Sequence, residues 1–206
     1  MKNSTTTYSY LLSLAIILVF TCCIATNDTT VKDIDGHVYQ TIIIGKQVWM
    51  AENLQVSRYR NGEPIQNITD TTAWSACTSG AYCNYNNDTG NVAGYGRLYN
   101  WHAINDSRKL APEGWHIPTD EEITILVAWL EKNTATADTL NVHGLAGYRH
   151  CNGGTYHTLG FNGYWWSATR SFEIYDWNPR MFNGFADVQR NRYEAGYGLA
   201  VRCVKD

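Results

Sequence analysis

Val38-Tyr39-Gln40-Thr41-Ile42-Ile43-Ile44-Gly45-Lys46-Gln47-Val48-Trp49-Met50 is the stretch on which the fold turns. Two β-branched and aromatic runs flank Gly45-Lys46, and a Gly-X pair between such runs signals an antiparallel hairpin. At the other end, Gly198-Leu199-Ala200-Val201-Arg202-Cys203-Val204 is too apolar for a loose tail and reads as a closing strand. Helix chemistry lies between. Thr119 precedes Asp120-Glu121-Glu122, which makes Thr119 an N-cap and Glu122 its capping-box partner. Ile123, Leu126, Val127 and Leu130 then recur at i, i+3, i+4 and i+7, one apolar helical face. A shorter helix is expected around Leu98–Ile104, where no breaker intervenes. Outer strands with two helices between them predict an α+β fold built on an antiparallel sheet.

The connecting segments are rich in turn residues. Residues 75–96 hold Gly80, Asn84, Asn86, Asn87, Asp88, Gly90, Asn91, Gly94 and Gly96, and a long irregular loop is expected there. From Gly144 onward Gly and Asn recur, leaving room for only short aromatic strands such as Gly163-Tyr164-Trp165-Trp166-Ser167.

The N-terminus reads as an export signal. Lys2 is followed by the apolar run Leu11–Phe20, the length of a signal-peptide core and well short of the about 20 residues a membrane span needs. Two processing routes are open: cleavage before Cys22, with lipid attachment at that cysteine, or cleavage after Ala25 with free secretion. Residues 1–25 are therefore expected to be a signal peptide, 26–31 a short tether and 32–206 a single domain. Without residues 1–25 the chain has 181 residues, enough for one ordinary core. Lys2 is the only charge in that segment, so 15 basic residues remain against 19 acidic, a balance of −4. The charges are interspersed, with no basic stripe of the kind nucleic acids require. Eight Trp and fourteen Tyr stand out, because aromatic rings give both large buried areas and flat contact faces. Cys77, Cys83, Cys151 and Cys203 remain, an even number that reads in an exported chain as two disulfides. Gly80 lies between Cys77 and Cys83, so a local bridge is feasible, with Cys151 and Cys203 left to pair. No C-x2-C spacing suggests zinc.

Seven blocks in order resemble the Fibrobacter succinogenes major paralogous domain, an exported bacterial family. They are Asp33-Ile34-Asp35-Gly36-His37-Val38-Tyr39, Ile44-Gly45-Lys46-Gln47-Val48-Trp49-Met50-Ala51-Glu52-Asn53-Leu54 and Gly80-Ala81-Tyr82-Cys83-Asn84-Tyr85-Asn86-Asn87. Leu98-Tyr99-Asn100-Trp101 and Ala111-Pro112-Glu113-Gly114-Trp115-His116-Ile117-Pro118-Thr119-Asp120 follow, then Gly163-Tyr164-Trp165-Trp166-Ser167-Ala168-Thr169 and Val201-Arg202-Cys203-Val204-Lys205-Asp206. That family is in turn similar to the C-type-lectin-like fold. The resemblance implies an antiparallel sheet with two helices, a long loop-rich region and paired terminal strands. Fold alone does not carry function.

Candidate chemistry is sparse. Asp33-Ile34-Asp35-Gly36 resembles the start of a calcium loop, but position 12 is Ile44 where an EF-hand needs Glu, so a turn is expected. Glu63-Pro64-Ile65 and Asn178-Pro179-Arg180 each fail the lectin-type calcium triplet, and no metal or other cofactor is assigned. His116, His150 and His157 are the histidines weighed as partners for a Cys151 nucleophile, yet a bridged cysteine offers no thiolate. The resemblance extends to formylglycine-generating enzymes, which use a reactive cysteine pair; this chain has no Cys between Asn152 and Arg202. Trp49, Trp101, Trp115, Trp165 and Trp166 are expected to be framework. Tyr148, Tyr156, Tyr175, Trp177 and Phe182 lie outside the matching blocks, among Gly, Asn and Asp. The ligand site is placed on Tyr156, Tyr175, Asp176, Trp177, Asn178 and Arg180, which combine flat faces with hydrogen-bonding groups. These residues point to an exported, non-catalytic surface module for a glycan or a surface protein, touching membrane only through a lipid anchor. The alternative is a structural envelope protein with no small ligand.

Overall fold

A computed structural model describes residues 29–133, 144–169, 176–182 and 185–206. Its strands are β1 (Thr30–Lys32), β2 (Val38–Ile44), β3 (Gln47–Met50), β4 (Gln66–Asn67), β5 (Ala81–Cys83), β6 (Leu98–Tyr99), β7 (Trp115–His116), β8 (Tyr148–Arg149), β9 (Tyr156–His157), β10 (Asn162–Tyr164), β11 (Asp176–Phe182), β12 (Phe185–Tyr193) and β13 (Val204–Lys205). The α-helices are α1 (Thr71–Ser75), α2 (Val92–Tyr95), α3 (Trp101–Ile104) and α4 (Asp120–Lys132). The expected α+β class is observed, with largely antiparallel pairing.

The hairpin forms as its sequence dictates. Thr41 pairs with Met50 and Ile44 with Gln47. Gly45 carries φ +62° and faces Trp129 of α4, where a Cβ would come within 2.9 Å of the indole. Both constraints demand glycine. The hairpin sits in a five-stranded sheet ordered β1-β2-β3-β13-β7. Val204 of the closing strand lies opposite Trp49 on one side and His116 on the other, so the two ends of the described chain meet in one sheet.

Residues ahead of β13 run through the middle of the protein. Tyr99 and Leu199 exchange backbone hydrogen bonds, Trp166 N donates to Ala200 O, and Leu54 N donates to Val201 O. Leu199, Val201 and Cys203 belong to one buried cluster, whereas Ala200 and Val204 belong to a second. Strand alternation feeds both clusters, which explains why this segment reads as continuously apolar. Trp165 and Trp166 divide in the same way, Trp166 joining the first cluster and Trp165 the second. All five framework tryptophans are buried.

Helix α4 begins at the expected capping box. Glu122 N donates to Thr119 Oγ1 at 3.2 Å, and Thr119 N donates to Glu122 Oε2 at 2.8 Å. Ile123 and Leu130 are buried, with Leu126 and Val127 packed beside them against the second cluster. Asp33 heads a turn, as expected: its carboxylate accepts from His37 N and from the Tyr39 hydroxyl at 2.6 Å.

Four expectations need correction. The helix expected at 98–104 begins only at Trp101, because Leu98 and Tyr99 pair with β5 and with Leu199. The two expected helices are joined by α1, capped by Asp70 accepting from Ala73 N, and by the four-residue α2. The stretch from Gly144 onward, expected to be loop-rich with only short strands, also holds the long strands β11 and β12. Trp177, Pro179 and Met181 alternate with polar neighbours, and Asn183-Gly184 lies between the two long runs in sequence, a hairpin signal that outweighs the glycine count.

The disulfides are the fourth correction. All four described cysteines are free. Cys203 is packed in the first cluster and Cys83 in the second, so the fold divides the thiols between separate environments. Burial pushes the thiols of Cys83, Cys151 and Cys203 up, which keeps them protonated and unreactive. In protein lacking residues 1–25, a thiol reagent should react readily only with half-exposed Cys77 in the native state. Four thiols should appear in denaturant without reductant, and reduction should leave the melting temperature unchanged. Fewer than four thiols in denaturant would restore the bridges.

Candidate functional site

The β8–β9 ribbon organises the most distinctive surface. Tyr148 pairs with His157 and Arg149 with Tyr156. Neighbouring residues of a strand point to opposite faces, so this ribbon has two unlike sides. On the inner side Arg149 is fully buried, its guanidinium 4.5 Å from the Trp74 ring and 5.1 Å from that of Tyr156. It donates to the carbonyls of Ile68, Thr69, Asp70 and Gly154.

On the outer side Tyr148 stacks on His157, with centroids 4.9 Å apart and planes 23° from parallel. Tyr193 and Tyr197 join it from the end of β12 and the turn that follows. That turn is fixed from below: Trp101 N donates to Ala195 O, and Trp74 Nε1 donates to Gly196 O. Tyr197 lies 5.8 Å from Tyr148, 4.9 Å from Tyr193 and 4.8 Å from His150. Buried Tyr164 supports them edge-on, 5.0 Å from Tyr148 and 5.8 Å from Tyr193. Tyr148, His150, His157, Tyr193 and Tyr197 are all half-buried, and Tyr148, Tyr193 and Tyr197 also pack against the first core cluster, so the five rings form one partly accessible group.

Polar atoms edge this face. Tyr197 Oη lies 2.9 Å from His150 Nε2, and Thr155 Oγ1 lies 2.9 Å from His157 Nε2. Burial, then the nearby Cys151, Tyr148 and Glu194, push the Tyr197 phenol up to about 12, so it stays neutral and can donate. Cys151 Sγ sits 3.9 Å from His150 Nδ1, the Cys-His pair weighed from the sequence. Burial and the Glu194 carboxylate, 3.5 Å away, raise the thiol, opposite to the shift a nucleophile needs.

The site residues expected from sequence are only partly brought together. Tyr156 is on the opposite side of the ribbon from Tyr148 and His157, where its hydroxyl donates to Asn87 Oδ1 at 2.8 Å and its ring packs 5.1 Å from Tyr85. Tyr175 lies outside the described residues, as do Cys22 and the whole expected signal segment. Asp176, Trp177, Asn178 and Arg180 lie on β11, where Asp176 is register-paired with Tyr193 and Trp177 with Arg192. Tyr148, His150 and His157 were visible as aromatics and histidines, and the i, i+2 spacing of Tyr148 and His150 marks one strand face. Tyr193 and Tyr197 carry no local signal, because only the fold returns the chain to Tyr148.

A second cluster lies at the sheet edge. His116 Nδ1 is 2.5 Å from Asp206 Oδ1, and its Nε2 is 2.8 Å from Glu122 Oε1. It ties β7 to the start of α4 and to the residue after β13, beside a 260 Å³ cleft lined in part by Arg60, Lys109 and Ile117. Burial lowers the pKa of this imidazole, but the hydrogen bonds and charges of Asp206 and Glu122 outweigh it, and the net shift is upward. A raised folded-state pKa contributes stability that is complete below the ordinary histidine value of about 6.5 and is lost as pH rises through the folded value. The melting temperature of wild type relative to His116→Gln should therefore fall from about pH 6 to pH 9. The change should be small, since the ring is a third exposed and solvent screens it. A difference that is flat with pH would remove His116 from this role.

A family model described as the Fibrobacter succinogenes major domain matches residues 42–144. The blocks at 33–39, 163–169 and 201–206 lie outside the matched stretch. No curated protein and no solved structure matches the chain.

Proposed function

This chain belongs to the Fibrobacter succinogenes major domain family, and from that premise we propose that it is an exported, non-catalytic module that binds glycans on its outer aromatic face. The observation that carries the reading is the continuous surface of Tyr148, His150, His157, Tyr193 and Tyr197. Sugar rings present weakly positive C–H faces, which stack on the negative faces of aromatic rings, while their hydroxyls need rim donors and acceptors. The neutral Tyr197 phenol and exposed Glu194 supply those. The raised Cys151 thiol supports binding over nucleophilic catalysis.

The export reading rests on residues 1–25, with lipid attachment at Cys22 or cleavage after Ala25 as the two routes. The scaffold is proposed to be C-type-lectin-like, supported by the meeting of the hairpin and the closing strand in one sheet. No described helix is long and apolar enough to cross a membrane.

A glycan and cell-wall polysaccharide array tests the reading, with Tyr197→Ala and Tyr148→Ala as controls. Wild type should bind, and each variant should remain folded while losing about 2 kcal/mol, roughly thirtyfold in affinity. A blank array with folded wild type would favour a structural envelope component. Binding undiminished in both variants would move the ligand off this face.

A further inference from the structure

The segment after the hairpin lines a cleft separate from the aromatic face. Its volume is about 500 Å³, within the range of small-molecule sites. Asn53 forms the floor, and the side chain is buried with its hydrogen-bonding capacity in use. Its amide nitrogen donates to Tyr95 O and Gly144 O, both at 2.8 Å. Its oxygen accepts from Trp165 Nε1 at 2.7 Å and from Arg202 Nη2 at 3.1 Å. The floor is thus tied to α2, to the second core cluster and to the closing segment, which makes it a fixed surface.

The walls are of a different kind. Gln40 is exposed, Gln55 is half-buried and Glu52 has a third of its side chain accessible. These contribute two primary amides, which both donate and accept, and one carboxylate, which accepts two hydrogen bonds. Tyr95, Ala51 and Ala93 also line the cleft. Gly96, at φ +75°, closes α2 directly against Asn53, where any Cβ would collide with the Asn53 side chain and with Leu54 O. Gly94 is the opposite case: a Cβ built there meets nothing within 4 Å. The glycine leaves open the space that a side chain would fill.

Charge narrows the ligand class. Among the described residues no Lys or Arg lines the cleft, so none of them matches a phosphate or a carboxylate. Glu52 is the only lining carboxylate among the described residues; it is 3.6 Å from His37 and acts on the buried guanidinium of Arg202 behind the floor. A cationic ligand would compete with both. We infer that this cleft is a second binding site, for one neutral, hydroxyl-bearing sugar unit held by Glu52, Gln40 and Gln55 over the Asn53 floor. Vicinal hydroxyls match an arrangement of one carboxylate with two amides, since each hydroxyl both donates and accepts. The inference does not depend on the aromatic face, although both sites would take sugars.

Calorimetric or NMR titration of the full chain with glucose and N-acetylglucosamine tests it, with glucuronate and glucosamine as charged probes. A neutral sugar should bind more tightly than either charged one. Gly94→Leu should fill the cleft, leave the melting temperature unchanged and weaken that binding by about tenfold or more. Should Gly94→Leu fail to fold, Glu52→Ala reads the same site with the same expected loss. Tyr197→Ala separates the two sites: it should weaken array binding by roughly thirtyfold yet leave the cleft titration intact. Absence of any neutral-sugar binding to wild type, binding unchanged by Gly94→Leu or Glu52→Ala, or a preference for glucuronate would each overturn the inference. A cleft titration lost in Tyr197→Ala but retained in Gly94→Leu would overturn it too, assigning all sugar binding to the aromatic face.

Discussion

Replacing Arg149 with Met is expected to destabilise the protein by on the order of 5 kcal/mol, enough to leave many domains of this size largely unfolded. Met retains most of the apolar stem, so the loss is chiefly of hydrogen bonds and charge. Arg149 has no exposed surface, and its guanidinium donates to four backbone carbonyls, from Ile68, Thr69, Asp70 and Gly154. Asp70 O keeps Trp74 N and Thr69 O keeps Asn87 Nδ2, so the carbonyls of Ile68 and Gly154 lose the most, at about 1–3 kcal/mol each, less where water can enter. The carbonyls of residues 68–70 lead directly into α1, so their loss should also loosen Trp74, whose ring lies against the guanidinium. Arg149→Lys should recover only part of the stability. A single ammonium has three donors around one point and cannot reproduce a planar fork that reaches both residues 68–70 and residue 154. Urea unfolding of the three proteins measures this. A loss below about 1 kcal/mol in Arg149→Met would mean that water replaces the guanidinium and that the staple is not structural.

Arg149 also shows where sequence reading stops. The hairpin at Val38–Met50 and the start of α4 are written in local chemistry: a Gly-X turn, a capping box and an apolar face repeating at helical spacing. Each could be read because its partners lie within a few residues. Arg149 lies beside His150 in a polar, glycine-rich stretch and reads as a surface charge. Three of its four acceptors lie about 80 positions earlier in the chain. Asn53 is the same kind of residue, reaching Gly144, Trp165 and Arg202 across 91 to 149 positions. The aromatic face was legible only in part. Tyr148 and His150 share a strand face by their spacing, but Tyr193 and Tyr197 join them through a turn fixed by Trp101 and Trp74. The cysteines erred in the other direction, because an even count carries no information about distance. Compartment sets whether thiols can oxidise, but the fold sets whether they meet, and here it buries three of them apart from solvent.

Trp166→Ala is expected to cost about 3–5 kcal/mol, the range for removing a fully buried aromatic side chain. Trp166 has no exposed surface and packs 5.4 Å from the Trp101 ring in the first core cluster. Its indole Nε1 donates to Tyr99 O at 2.6 Å, an acceptor in β6. The substitution therefore opens a cavity and leaves that carbonyl short of one donor, although Leu199 N also serves it at 3.0 Å. Trp166→Phe separates the two effects. It keeps most of the ring volume and loses the N–H, so it should cost about 1–2 kcal/mol. Both variants should weaken the junction of residues 164–166 with residues 199–204, because Trp166 N bonds Ala200 O and Ala200 N bonds Tyr164 O. Tyr164 supports the aromatic face from below, so a folded Trp166→Phe protein should show altered Tyr148 and Tyr193 resonances, whereas Tyr197→Ala should not change stability comparably. Equal losses for Trp166→Phe and Trp166→Ala would place the energy in the hydrogen bond. A loss for Trp166→Ala below about 1 kcal/mol would contradict its place in the core.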